Sequence, residues 1–290
     1  MPTYNAVKAL PGDEAGPWGT HLPKTYDVRD VLLYAVGIGI DDLRFVYEGH
    51  ADFAVFPTFP IRWGFEGLDV DPELIPFTPG PLSIDAERYL EVIRPLPTEG
   101  TVQVRSRLLS VHPKGKGNAF IECESQVVDA DGDIYLRMVT GAFMRGIKTL
   151  GDIEPFEGAG KVYSNPIEMP QRPPDNRIDT RIAANQAHVY RLSGDYNPLH
   201  IDPDAARFGG FDQPILHGLC TFGHCAYRLL GELGDGEASR FKKIQVRFTA
   251  PMLLDAPLQI RTWNDGEGRV IFDAVTDDQV VISNAYFEYR

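Results

Sequence analysis

Apolar and polar positions alternate with a period of two over several stretches of the chain. Val102, Val104, Ser106 and Leu108 alternate with Gln103, Arg105 and Arg107, and Ile121, Cys123, Ser125 and Val127 alternate with Phe120, Glu122, Glu124 and Gln126. Further on, Ile244, Val246 and Phe248 alternate with Lys243, Gln245 and Arg247, and Leu258, Ile260 and Thr262 with Gln259 and Arg261. Such alternation predicts strands with one face buried and one exposed, paired in antiparallel sheets. Helical spacing precedes each set. Val28, Val31, Leu32 and Ala35 predict a helix over residues 27–37, and residues 215–233 are apolar almost all round. A helix apolar on every side must be buried on every side, and a curled antiparallel sheet can do that. The expected class is α+β, with two antiparallel sheets each wrapped on helical material. The Gly-, Pro- and Glu-rich segment 151–176, with Gln171-Arg172-Pro173-Pro174-Asp175 as its stiffest part, predicts an extended linker between residues 1–150 and 177–290.

Composition narrows the class of function. The chain has 290 residues, with 28 Lys plus Arg against 41 Asp plus Glu, a formal charge of −13. An acidic surface repels phosphate, so bulk-charge binding to nucleic acid is not expected. Three cysteines, Cys123, Cys220 and Cys225, cannot build a disulfide framework. No apolar run reaches 18 residues, so no membrane span is expected. Residues 1–19 do not read as a signal peptide, and the terminal Phe287-Glu288-Tyr289-Arg290 is not the Ser-Lys-Leu address. The expectation is a soluble intracellular protein, cytoplasmic or peroxisomal.

The segment Ser193-Gly194-Asp195-Tyr196-Asn197-Pro198-Leu199-His200 places Asp, Asn and His within six residues. Pro198 disfavours helix at Asn197 and predicts a loop. An Asp and a His on one loop can share a water molecule, with Asn197 setting its orientation, although Asp, Asn and Pro together also mark an ordinary turn. Residues 214–223 then carry Ile215-Leu216-His217-Gly218 into the long apolar helix. Glycine at a helix start lets a ligand approach bare backbone N–H groups and the positive end of the helix dipole. An acid–base loop followed by such a start suits enolate chemistry. His217, Cys220 and His224 share a helix face at a spacing that could hold zinc. No fourth ligand is apparent, and packing, with His217 lining the site, is the reading adopted. There is no Cys-x-x-Cys and no Gly-x-Ser-x-Gly.

Taken together, residues 193–200 and 215–218 resemble the motif of the MaoC-like, (R)-specific enoyl-CoA hydratase 2 family. Similarity extends to Phe45-Val46-Tyr47-Glu48-Gly49, Phe56-Pro57-Thr58-Phe59, Tyr89-Leu90-Glu91, Pro95-Leu96-Pro97, Arg172-Pro173-Pro174-Asp175 and Ser283-Asn284-Ala285-Tyr286. The resemblance implies the double hotdog fold and one active site per chain, with a degenerate N-terminal half that accommodates the acyl chain. It also implies that Asp195 and His200 activate water, that Asn197 orients the site, and that the Gly218 N–H binds the thioester oxygen. The product would be an (R)-3-hydroxyacyl-CoA, the protein a homodimer, and no metal or separate cofactor would be needed, since CoA is part of the substrate. One departure stands out: relatives often carry His in the stretch where this chain has Asp85-Ala86-Glu87-Arg88-Tyr89.

Candidate CoA-phosphate contacts are Lys243 and Arg247, from the basic cluster that also holds Arg240 and Lys242, with Arg172 and Arg191 as alternatives. The cluster is equally well explained as the exposed face of a strand. Glu48 and Asp52 are taken as structural. The nearest alternative function is the same fold dehydrating 3-hydroxyacyl groups on an acyl carrier protein. A non-catalytic hotdog subunit is the alternative of a different class, and a hotdog thioesterase would normally lack the loop at 193–200.

Overall fold

The computed structural model describes residues 16–64, 66, 68, 82–115, 117–146, 156–157 and 166–290. They fall into two compact units interleaved along the sequence. One unit takes Met1–Lys24, Trp63–Tyr89 and Val102–Pro166 as far as these are described; the other takes Thr25–Arg62, Leu90–Thr101 and Ile167–Arg290. The units therefore do not follow a division at 151–176, because the helix near residue 30 belongs with the C-terminal strands. Half of the expected linker, residues 151–155 and 158–165, lies outside the described residues. Within it, Phe156–Glu157 form a short strand rather than free extended chain. Among the described residues no helix is long and apolar enough to cross a membrane.

The strands in chain order are β1 (Leu22–Tyr26), β2 (Ser83–Val92), β3 (Gly100–Gly115), β4 (Asn118–Val128), β5 (Ile134–Met144), β6 (Phe156–Glu157), β7 (Asn176–Arg181), β8 (Phe241–Phe248), β9 (Pro257–Asn264), β10 (Arg269–Thr276) and β11 (Gln279–Tyr289). The helices are α1 (Val28–Gly37), α2 (Leu43–Val46), α3 (Gln186–Tyr190), α4 (Pro203–Phe208) and α5 (Gly218–Leu233).

In the first unit β3 pairs antiparallel with β4, and β4 with β5, in registers that include Val104↔Val127 and Cys123↔Thr140. Strand β6 pairs with β3 through Ser110 and Val111. The inward face of β3 is as expected, with Val102, Val104, Ser106 and Leu108 buried. The polar face of β4 is not exposed as the alternation predicts: Glu122, Glu124 and Gln126 are all buried. Their polar atoms are met by neighbours on β3. The Ser110 hydroxyl donates to Glu122 (2.5 Å), Arg107 pairs with Glu124 (2.6 Å), and Arg105 donates to the Gln126 carbonyl oxygen (2.8 Å). Both guanidinium groups in turn lie over the Trp18 ring. A buried carboxylate is tolerated only when paired in this way. On β2, Asp85 pairs with Arg88 at 2.9 Å, a structural ion pair in the stretch 85–89.

In the second unit β8, β11, β10, β9 and β7 are neighbours in that order, all antiparallel. Helix α5 lies against β8 and β11. Residues 220–226 of α5 are buried without interruption, as a helix apolar on every side requires. Its second cover is α1 and the turn after it. The Cys220 thiol donates to the Gly37 carbonyl at 3.3 Å, and Gln186 of α3 donates to the same carbonyl. Gly223 makes this approach possible, because a Cβ there would fall 2.7 Å from the Ile38 side chain. Helix α1 starts cleanly: Asp27 and Asp30 form a reciprocal capping box.

Candidate active site

The loop before α5 is shaped by its own side chains. Gly194 sits at φ +124°, a region that L side chains rarely adopt, and turns the chain after a short 3-10 segment. The Asp195 carboxylate accepts the Asn197 N–H (3.2 Å), and the Asn197 side-chain oxygen accepts the Leu199 N–H (3.1 Å). These are Asx turns. The turn and the site are therefore the same object. The Asn197 oxygen takes one hydrogen bond in the turn, which fixes the orientation of the side-chain amide.

His200 ends that turn, 8% exposed. Its Nδ1–H donates to the Ile215 carbonyl at 2.9 Å, which fixes the tautomer and leaves Nε2 as an acceptor. Burial pushes the His200 pKa below its ordinary value, so the ring is neutral at neutral pH. The His217 ring stacks on it, centroids 3.7 Å apart and planes 28° apart. His217 is 1% exposed, and its Nε2–H donates to the Asp195 carbonyl at 3.2 Å. Its pKa falls to about 4, first through burial and then through repulsion from His200.

His217 is also the residue before α5, and its carbonyl accepts from Cys220 and Thr221 (3.1 Å each). The first turn of a helix leaves its leading N–H groups without intrahelical acceptors, here those of Gly218 and Leu219. A Cβ on Gly218 would meet only the Phe248 ring, at 3.5 Å. The fold itself does not demand glycine there, and its bare backbone leaves space beside those N–H groups.

Asp195, His200 and His217 each offer a ligand atom within 4.8 Å of the others. The stacking disfavours a shared metal. Zinc binds imidazole nitrogen at about 2.0–2.1 Å, in the ring plane. An ion shared by two stacked rings would stand off each plane by about half the ring separation, nearly as far as the bond is long. The face expected from spacing fails as a zinc site for a different reason. Both His224 nitrogens are taken, Nδ1 by the Ile38 carbonyl (2.9 Å) and Nε2 by Thr180 (3.0 Å), and the Cys220 thiol is bonded to Gly37.

The structure thus brings Asp195, Asn197, His200, His217 and Gly218 together. Of the basic candidates, Arg191 lies beside them, its guanidinium 4.9 Å from the Tyr196 ring and close enough to lower the His217 pKa. Arg172 is held by Asp175 (2.5 Å). Lys243 faces Glu91 (3.6 Å) and Glu288 (3.7 Å). Arg247 stands on β8 opposite Ser283. Three contributors carry no signal in the local sequence. Arg62 donates to the Ser193 carbonyl across 131 residues. Tyr190 packs its ring 4.8 Å from His217, and the Ile215 carbonyl sets the His200 tautomer.

Two family models match the chain: the MFE-2 hydratase 2 N-terminal domain over residues 25–146, and the MaoC like domain over residues 166–284. The peroxisomal enoyl-CoA hydratase 2 of Arabidopsis thaliana is 34% identical over 292 residues, covering 92% of this chain and 91% of that protein. The peroxisomal multifunctional enzyme type 2 of Mus musculus is 35% identical over 303 residues, covering 99% of this chain. The chain spans 40% of the length of that relative. Among solved structures, a MaoC-like dehydratase from Phytophthora capsici superposes with a TM-score of 0.83 at 35% identity, covering 95% of this chain and 96% of that one. A Mycobacterium tuberculosis protein described as a double hotdog superposes at 0.54 and 13% identity, a likeness of fold alone. The architecture is the double hotdog. The chain belongs to the MaoC-like hydratase 2 family.

Proposed function

We propose that this chain adds water across trans-2-enoyl-CoA to give (R)-3-hydroxyacyl-CoA. The observation that carries the reading is a carboxylate within 4.8 Å of an imidazole whose acceptor nitrogen is fixed, beside a helix start whose leading N–H groups lack intrahelical acceptors, with no side chain at Gly218. One water proton is held by the Asp195 carboxylate and the other by His200 Nε2. The water oxygen then attacks C3, the electron pair of the double bond moves toward the thioester, and negative charge develops on the thioester oxygen. The Gly218 N–H stabilises that oxygen. The proton removed from water returns to C2, which balances the addition. No step requires a metal or a redox partner. Arg191 serves as the CoA-phosphate contact near the site, and the working form is a homodimer.

The reading rests also on the relatives named as enoyl-CoA hydratases 2. Its test is incubation with crotonyl-CoA and longer trans-2-enoyl-CoAs, following loss of the enoyl thioester absorbance. Coupling to an (S)-specific 3-hydroxyacyl-CoA dehydrogenase should give no signal, and coupling to an (R)-specific one a full signal. Absence of hydration, or a strong (S) signal, overturns the reading.

A further inference from the structure

His217 makes three contacts at once. Its backbone carbonyl closes the first turn of α5 through Cys220 and Thr221. Its Nε2–H holds the Asp195 carbonyl, 22 residues back, and its ring lies flat on His200. The neighbouring His200 is itself held by the Ile215 carbonyl, two residues before His217. The segment 215–217 therefore grips the 195–200 loop at both ends. Beyond His217 comes the Gly218 N–H. We infer that His217 is a positioning residue: a brace that fixes the distance between the water-holding pair and the N–H groups at the α5 start.

The charge state of the brace follows from its surroundings. The second nitrogen, Nδ1, is buried with no hydrogen-bond partner among the described residues. A proton there would be a buried N–H⁺ with no acceptor, so the ring stays neutral and brings no positive charge against His200. Facing the two rings are the Asp195 carboxylate, which favours their protonation, and the Arg191 guanidinium, which opposes it for His217. Tyr190, from the other side, is neutral in its burial. The role assigned to His217 is mechanical, since its donor nitrogen is spent on backbone.

This inference rests on the proposed hydration for its catalytic consequence, but the brace itself can be read without turnover. The variants are His217→Gln, which keeps a donor near the Nε2 position, and His217→Asn, which is too short to place one there. His217→Phe keeps a flat ring without a donor. Hydrogen exchange of peptides covering residues 193–202 reads the loop directly, with peptides from β3 and β4 as an internal control. Exchange in the loop should rise in the Phe and Asn variants and stay near the parent in Gln, with β3 and β4 unchanged. With crotonyl-CoA, kcat should fall about 100-fold in Phe, as expected for misplacement of about 1 Å, and Gln should recover most of it. KM should barely move in any variant.

Unchanged loop exchange in His217→Phe overturns the brace, whatever the kinetics. A loosened loop with parent-like kcat overturns the positioning role, and a raised KM at constant kcat replaces it with substrate binding. A parent protein with no hydration activity removes the proposed function instead, and the exchange measurement then decides the brace alone.

Discussion

Replacing Gly218 by alanine should separate stability from activity, moving them in opposite directions. The added methyl meets the Phe248 ring at 3.5 Å, an ordinary van der Waals contact, and Gly218 does not lie at positive φ. Nothing in the protein need shift to receive it. Alanine loses less backbone entropy than glycine on entering a helix, worth up to about 1 kcal/mol in a helix interior and less at its first position. The melting temperature should stay level or rise by about 2–4 °C. The same methyl occupies space beside the N–H assigned to the thioester oxygen. Loss of one such donor elsewhere costs about 10²–10³ in kcat, and displacement of the oxygen from it should approach that loss. The assay is kcat with crotonyl-CoA beside a thermal melt of the same preparation. A variant that melts no lower than the parent and turns over normally would refute the assignment of the oxyanion site to α5. A variant that unfolds would refute the packing argument.

Stability should fall as the pH drops from about 6.5 toward 4. Burial holds the folded-state pKa values of His200, His217 and His224 below their unfolded values, that of His217 at about 4. The unfolded chain then binds more protons in this window, so the stabilising difference is complete above about 6.5 and is lost on acidification. Denaturant midpoints measured across this range check it, and a flat profile would contradict it. Activity should survive prolonged chelation and dialysis, because the stacked His200 and His217 rings do not converge on one ion. Loss with chelator and recovery with zinc would contradict that.

The parts of the site that are close in sequence were the parts legible in it. Gly194, Asp195, Asn197 and Pro198 build a turn whose hydrogen bonds span two residues, so its shape follows from local chemistry. Continuous apolar character likewise announced α5, although Ile215–His217 lead into it as extended chain rather than helix. Contacts across long separations were not legible. Nothing near Arg62 signals that it holds Ser193, and α1 looks equally able to serve the strands that follow it. Period-two alternation misjudged Glu122 and Glu124, because an alternating pattern shows which residues are polar but not whether side chains on the next strand cover them. The surroundings of the basic cluster on β8 were not legible for a related reason: the acids that face Lys243, Glu91 and Glu288, lie far from it in sequence.

The central claim is that Asp195 and His200 grip one water molecule. A double-mutant cycle on kcat with crotonyl-CoA, using Asp195→Asn and His200→Ala and checking folding by circular dichroism, tests it most directly. General acid–base loss is typically about 10²–10⁴-fold, so each single variant should be severely impaired. If both side chains hold the same water, the double variant should be scarcely worse than either single one, as for residues that act as a unit. Losses that multiply, or an Asp195→Asn variant with near-parent turnover, would contradict the account.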